Sequence, residues 1–165
     1  MSKILFISNI SNRITTFVTA SIAAAHSLDL DFYQAANWND AEPMQIDKDE
    51  KEYNIKIKNV PISRNPLSKA NLIAYKELVD FIKKENIDYI HCNTPTGGIL
   101  GRLAGKKCKV KKVIYQAHGF HFYKGAPKKN WLAYYPVEKW LAHHTDALIT
   151  INSEDFELAK TKLKL

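Results

Sequence analysis

Apolar and polar residues alternate along this chain in two periods that trade places, and that exchange predicts the layout. Lys3 to Ser8 is a short apolar run of β type. Thr15 to Ser27, rich in alanine, predicts a helix. Leu28, Leu30 and Phe32 alternate with Asp29, Asp31 and Tyr33, a period of two that predicts a strand over Leu28 to Ala35. Asn37 to Lys51 is polar, contains Pro43 and predicts a loop. Ile55 and Ile57 alternate with Lys56 and Lys58, predicting a solvent-facing strand over Tyr53 to Val60, and Pro61 and Pro66 then punctuate a loop. Ser68 is a suitable N-cap for a helix through Lys84, with Leu72, Tyr75, Leu78, Val79 and Ile82 on its inner face. Ile87 to Cys92 predicts a buried strand, followed by a helix from Thr94 to Lys106 with Pro95 at its start. Lys112 to Gln116 predicts another strand, and Asn130 to His144 a helix kinked or restarted at Pro136. A strand over Asp146 to Ile151 and a helix capped by Ser153, running to about Lys162, complete the pattern.

Strands and helices therefore alternate almost throughout. This predicts an α/β, Rossmann-like three-layer domain with a mostly parallel sheet. A length of 165 residues fits one such domain, and a hydrophobic fraction of 45% is enough to give it a core. No internal repeat or interdomain linker divides it. No stretch approaches the roughly 18 uninterrupted apolar residues that crossing a bilayer requires. The N-terminal apolar run is too short for a secretory signal and reads as a first strand. Cys92 and Cys108 lie in different elements without metal-ligand spacing, consistent with a reduced, cytoplasmic protein.

Charge sharpens the picture. Arg102 to Lys139 holds ten Lys or Arg and one acid, Glu138, so this stretch alone is more basic than the whole chain at +7. Such a surface attracts phosphates, nucleic acid or anionic lipid. Nucleic acid is disfavoured, because no helix-turn-helix, RNP-like or zinc-finger pattern accompanies the charge. Glu138, inside a helix, reads as a structural salt-bridge partner.

The chemistry concentrates in His118-Gly119-Phe120-His121-Phe122-Tyr123-Lys124-Gly125-Ala126-Pro127. It follows a strand, so it lies at the carboxyl edge of the sheet, where open α/β sheets bind ligands. Aromatic faces, two titratable imidazoles and permissive glycines suit a polyhydroxylated or phosphorylated ligand. The loops Ser8 to Arg13, His91 to Gly98 and Asn152 to Asp155 should converge on the same edge. Asn93-Thr94-Pro95-Thr96-Gly97-Gly98 opens a helix whose amides suit an anion, and Arg13 is a candidate phosphate partner. The first loop has no glycine, and neither the dinucleotide fingerprint nor the Walker pattern occurs, so no cofactor is expected. His143 and His144 point to different helix faces and no second ligand cluster is evident, so no metal is expected either. No serine-hydrolase elbow or cysteine-nucleophile motif is present.

Taken in order, Asp88-Tyr-Ile-His91-Cys-Asn93-Thr94-Pro95-Thr96-Gly97-Gly98, Ala117-His118-Gly119-Phe120-His121-Phe122, Glu138-Lys139 and Thr145-Asp146-Ala-Leu-Ile-Thr-Ile-Asn152-Ser-Glu154-Asp155 resemble a known family. That family is the N-terminal domain of family-four retaining glycosyltransferases of GT-B fold, in their bacterial capsular and exopolysaccharide group. The resemblance implies that residues 1–165 form an acceptor-binding domain. It also implies a separate C-terminal domain, not in this chain, that binds a nucleotide-sugar donor. Transfer would retain the anomeric configuration without an obligatory metal. The acceptor would be a glycan or a sugar on a polyprenyl diphosphate, and the basic stretch with Trp131, Tyr134, Tyr135 and Trp140 would touch an anionic inner membrane face. His118 takes the place of the histidine lining the cleft near the transferred sugar. His121 and Lys124 are its neighbours, while Asn152, Ser153 and Glu154 fall on the segment facing the interdomain cleft, as acceptor or cleft-lining residues with Asn93, Thr94 and Gly97. The glycine pair common in the family's first loop is missing here, so the resemblance does not extend to a donor contact at that loop. Two other readings stay open: a non-catalytic adaptor that recruits a donor-binding chain, and half of a sugar-nucleotide epimerase of the same fold.

Overall fold

The computed structural model of the chain describes residues 1–163. Six strands form one sheet: β1 (Ser2–Ile10), β2 (Leu30–Asn37), β3 (Lys56–Asn59), β4 (Tyr89–Asn93), β5 (Lys112–Ala117) and β6 (Ala147–Thr150). Their spatial order is β3-β2-β1-β4-β5-β6 and every pairing is parallel, so the sheet is parallel throughout. The chain travels outward from β1 in one direction and then, starting again at β4, in the other. Right-handed crossovers then put the helices of the two halves on opposite faces.

Two apolar clusters show this. Helix α1 (Thr16–Ser27) lays Val18, Ile22 and Ala25 against Ile4, Phe6 and Phe32, with Ile46 and Tyr53 of α2 (Pro43–Tyr53) beside them. On the opposite face, α3 (Ala70–Glu85), α4 (Pro95–Cys108) and α5 (Lys128–Ala142) cover Leu5, Ile7, Ile90, Cys92, Val113 and Tyr115. Helix α6 (Ser153–Leu158) runs into a π-helical turn, Ala159–Leu163, whose ends are buried in the same cluster. Strands buried on both faces need apolar residues at nearly every position, and β1 shows that from Ile4 to Ile7.

Several expected boundaries shift, each for a local reason. The polar segment 37–51 is not a loop throughout; it contains α2, which Pro43 starts rather than breaks because its missing N–H costs nothing at the first helical position. Only Asp49 of α2 is buried, and its carboxylate accepts the N–H of Ile14 at 2.9 Å. Strand β3 is shorter than expected. In α3, Leu72 is exposed and Asn71 and Ala74 take inward places; Asn71 earns its burial by accepting from the Ser63 N–H and donating to the Asn65 carbonyl. Ser68 stands ahead of the helix and accepts the Ala70 N–H at 3.3 Å. Pro136 lies inside an unbroken α5, which begins at Lys128 rather than Asn130. Asn152, not Ser153, caps α6, and α6 itself ends at Leu158, short of Lys162.

Helix α4 packs unusually close to the sheet. A methyl group at Gly98 would lie 2.5 Å from the Tyr115 ring, one at Gly101 would lie 2.6 Å from the Cys92 Cβ, and one at Gly105 would lie 2.6 Å from Val113 Cγ2. Glycine at these three positions is what lets the helix reach that depth.

Candidate functional site at the carboxyl edge

The sheet order reverses between β1 and β4, and the carboxyl ends of these two strands form the crevice where doubly wound sheets take ligands. The Asn9 side chain organises it. Its Oδ1 accepts the Gly97 N–H at 2.6 Å and the Thr94 hydroxyl at 2.8 Å, although these partners lie 88 and 85 residues away. Thr94 adopts φ 63 and ψ 154 and gives α4 no side-chain cap, so the cap comes from Asn9 on another strand. The register of β1 against β2 slips between Ile7 and Ile10, around Asn9, as a bulge would cause. Gly97 is buried, and a methyl there would stand 3.1 Å from the Ser8 backbone, which makes Gly97 a close-approach position in this crevice. Asn93 is also buried at the end of β4, and its Oδ1 has no partner. It is an acceptor waiting for a donor.

The histidine loop follows β5. Gly119 and Gly125 have φ of 115 and 93, so the loop turns back on itself at both ends. The first turn of α6 holds it: Asp155, 3% exposed, accepts the Phe120 N–H at 3.2 Å, and Glu154 accepts the Lys124 N–H at 3.0 Å. Asn152 accepts the Asp155 N–H at 2.7 Å and donates to its carboxylate at 2.8 Å. Asp155→Ala should therefore cost about 2 kcal/mol and loosen the loop, because it orphans a buried amide and removes the partner of the cap. Hydrogen exchange at the Phe120 amide should accelerate; unchanged exchange would show that Asp155 does not hold the loop.

The two loop histidines part company. His118 is exposed and meets the Phe17 ring of α1 edge-on, centroids 5.7 Å apart. Behind it His91 is buried, hydrogen-bonded to Gln116 at 3.1 Å and edge-on to Phe6. Burial pushes the His91 pKa down, the Gln116 bond opposes this, and nearby His118 adds to the lowering, so His91 stays neutral. His121 instead stacks on Tyr134 of α5, centroids 4.5 Å apart, at the wall of a cavity of about 430 Å³ between the 64–67 loop, the start of α4, the histidine loop and α5.

Below that cavity lies a buried ion pair. Arg102, 1% exposed, makes a bidentate contact with Glu138 at 2.7 and 3.1 Å, donates to the Gly98 carbonyl at 2.9 Å and stacks over Tyr115 at 3.9 Å. Burial alone would lower the Arg102 pKa, but bonding to Glu138 outweighs it and holds the guanidinium above its usual range. Burial pushes the Tyr115 hydroxyl up as well, and it pushes the Cys92 thiol up to about 12, so Cys92 is no nucleophile at neutral pH.

Of the residues expected at the site, Asn93, Thr94 and Gly97 meet at the crevice. His118 stands at the same sheet edge, while His121 turns to the cavity. The side chains of Asn152 and Glu154 are taken up in holding α6 and the loop, Ser153 and Lys124 are exposed, and Arg13 is exposed after β1. Phe17 and Arg64 were not singled out by sequence reasoning, Asn9 and Asp155 were named only as parts of their loops, and Tyr134 was assigned to a membrane face instead. Asp155 carried the clearest signal, an acid in the first turn of a capped helix. His144 contacts Lys106 at 3.2 Å. Among the described residues no three His, Cys, Asp or Glu gather as a metal site would require, and no helix is long and apolar enough to cross a membrane.

A fully parallel 3-2-1-4-5-6 sheet with its polar loops at the carboxyl edge defines a Rossmann-type ligand-binding domain. Residues 3–152 match the family "Glycosyl transferase 4-like", and the chain belongs to that family. It is 54% identical over 104 residues to "Putative glycosyltransferase EpsD" of Bacillus subtilis (strain 168), covering 62% of this chain and 27% of that protein. It is 35% identical over 86 residues to the UDP-Gal:alpha-D-GlcNAc-diphosphoundecaprenol alpha-1,3-galactosyltransferase of Escherichia coli, covering 52% and 22%. The matches thus span about a quarter of the length of these relatives. A glycosyltransferase from Rickettsia africae ESF-5 has the same fold, with a TM-score of 0.64 at 14% identity, over 99% of this chain and 40% of that one.

Proposed function

We propose that the chain is the acceptor-binding domain of a retaining glycosyltransferase that passes a sugar from a nucleotide-sugar donor to a lipid-linked glycan or growing polysaccharide. The donor-binding domain is a separate unit that faces the carboxyl edge of this sheet. The observation that carries the reading is the exposed His118 imidazole, fixed between Phe17 and a loop tied down by α6, at the same sheet edge as the unpartnered Asn93 oxygen. In this arrangement His118 hydrogen-bonds the transferred sugar, Asn93 accepts a ligand hydroxyl, and Arg13 meets phosphate. His121 and Lys124 flank the acceptor, and Asn152, Ser153 and Glu154 line the cleft, Asn152 and Glu154 by fixing the loop. The E. coli relative is named for alpha-D-GlcNAc-diphosphoundecaprenol, a sugar on a polyprenyl diphosphate, which favours a lipid-linked acceptor here. The basic stretch supports peripheral contact with an anionic inner membrane face, since its one acid, Glu138, is consumed by Arg102.

In a protein that carries both domains, His118→Ala should lower kcat/KM for sugar transfer by about 100-fold, the scale of losing one hydrogen bond to developing charge. Wild-type transfer by that variant, with folding intact by circular dichroism, would remove the proposal.

A further inference from the structure

The cavity under α5 is a different site from the crevice beside His118, and its chemistry differs too. Part of its polar lining is already committed to protein partners. Glu138 is held by Arg102, the Thr96 hydroxyl donates to the Arg64 carbonyl at 3.2 Å, and His121 lies flat on Tyr134. What remains is an apolar lining that includes Ile99, Phe120, Phe122 and Val137. A sugar needs several convergent donors and acceptors, and the uncommitted His121 and Tyr134 stand together on one wall rather than converging from several. Its volume of about 430 Å³ is nonetheless that of a small-molecule site.

The rim shows what enters. Leu67, on the lining, is 91% exposed, and Val137, on the α5 wall, is 42% exposed. Neither is buried by the domain. Arg64, an exposed residue of the same lining, has no ion-pair partner among the described residues, and Lys128 and Lys129 open α5. An apolar cavity with a cation at its mouth, continuous with exposed apolar side chains, is complementary to a hydrocarbon chain ending in phosphate. We infer that this cavity is a prenyl site. It takes the isoprenoid segment next to the diphosphate of a prenyl diphosphate, with Arg64 on the phosphate. The inference rests on the reading that the acceptor is lipid-linked, and assigns its lipid part to a place distinct from the crevice that holds its sugar.

Calorimetric titration of the 165-residue chain with farnesyl diphosphate, geranyl diphosphate and inorganic diphosphate tests it. Farnesyl diphosphate should bind at least about tenfold tighter than geranyl diphosphate, because each added apolar carbon leaves water. Inorganic diphosphate should bind weakest. Ala133→Trp, an exposed position on the cavity wall, should erase the farnesyl advantage, whereas Arg64→Gln should weaken all three ligands and keep their ranking. Equal affinity for farnesyl and inorganic diphosphate would overturn the inference and identify the free phosphate as the true ligand. So would an Ala133→Trp variant that still prefers farnesyl. The acceptor reading fails separately: if His118→Ala transfers sugar normally while farnesyl diphosphate binds as expected, the crevice assignment falls and the prenyl site stands. Loss of transfer with no farnesyl preference would give the reverse.

Discussion

Replacing Glu138 with alanine should destabilise the domain by about 3–5 kcal/mol, because it leaves Arg102 charged and unpaired where only 1% of it reaches solvent. For a chain of this length that is a fall of roughly 10 °C in Tm. The loss comes from the uncompensated cation and not from the pair's own worth, since taking both charges out of water consumed most of their attraction. The double variant Glu138→Ala, Arg102→Met should therefore recover most of the stability, with Met filling the space beside Tyr115. Thermal melts of the three proteins decide it. A single variant that melts within about 2 °C of the parent would mean that Arg102 finds another partner. A double variant as unstable as the single would mean that the Arg102 contacts with Tyr115 and the Gly98 carbonyl matter more than the charge balance.

Gly101→Val should cost about 3 kcal/mol by overpacking. The added Cβ would stand 2.6 Å from the Cys92 Cβ and 3.3 Å from Ile7 Cδ1, and the Cys92 Cβ is fixed to the middle of the sheet. Only an outward shift of α4 relieves such a clash, and α4 carries Gly97 and Thr94 at its start. Urea unfolding should show the lost stability as a lower midpoint at unchanged slope. The hydrogen bonds from Gly97 and Thr94 to Asn9 should lengthen together, visible as amide shift changes at Gly97. A midpoint within error of the parent would mean that the helix slides without resistance.

The alternation of periods was enough to read the layers. Every expected strand is present: β1 and β4, buried along most of their length, leave apolar runs, while β2 and the exposed β3 show a period of two. Helix α2 was hidden for the opposite reason. Ten of its eleven residues avoid full burial, so no apolar stripe marked it, and Pro43 resembled a loop signal when it was a helix start. Leu72 fitted a helical face by spacing alone, but Asn71 held that face through hydrogen bonds that spacing does not report. The histidine loop was legible from its glycines and aromatics. That His118 and His121 part depends on Phe17 and Tyr134, which are distant in sequence. Asn9 was illegible for the same reason: nothing near it indicates that its partner is the start of a helix 88 residues on. Asn152 and Ser153 are both good caps by type, and only the backbone path decides between them.

The Asn9 cap has a consequence for how the crevice comes into being. A helix normally carries its own cap and can shape its first turn while the rest of the chain is still unfolded. Helix α4 borrows its cap from β1, so the Gly97 amide in its first turn lacks this partner until β1 and β4 lie side by side. That pairing closes a long loop and belongs to the assembly of the whole sheet. The crevice is therefore absent from every partly folded form in which β1 is detached. Binding competence and global folding arrive in a single cooperative event.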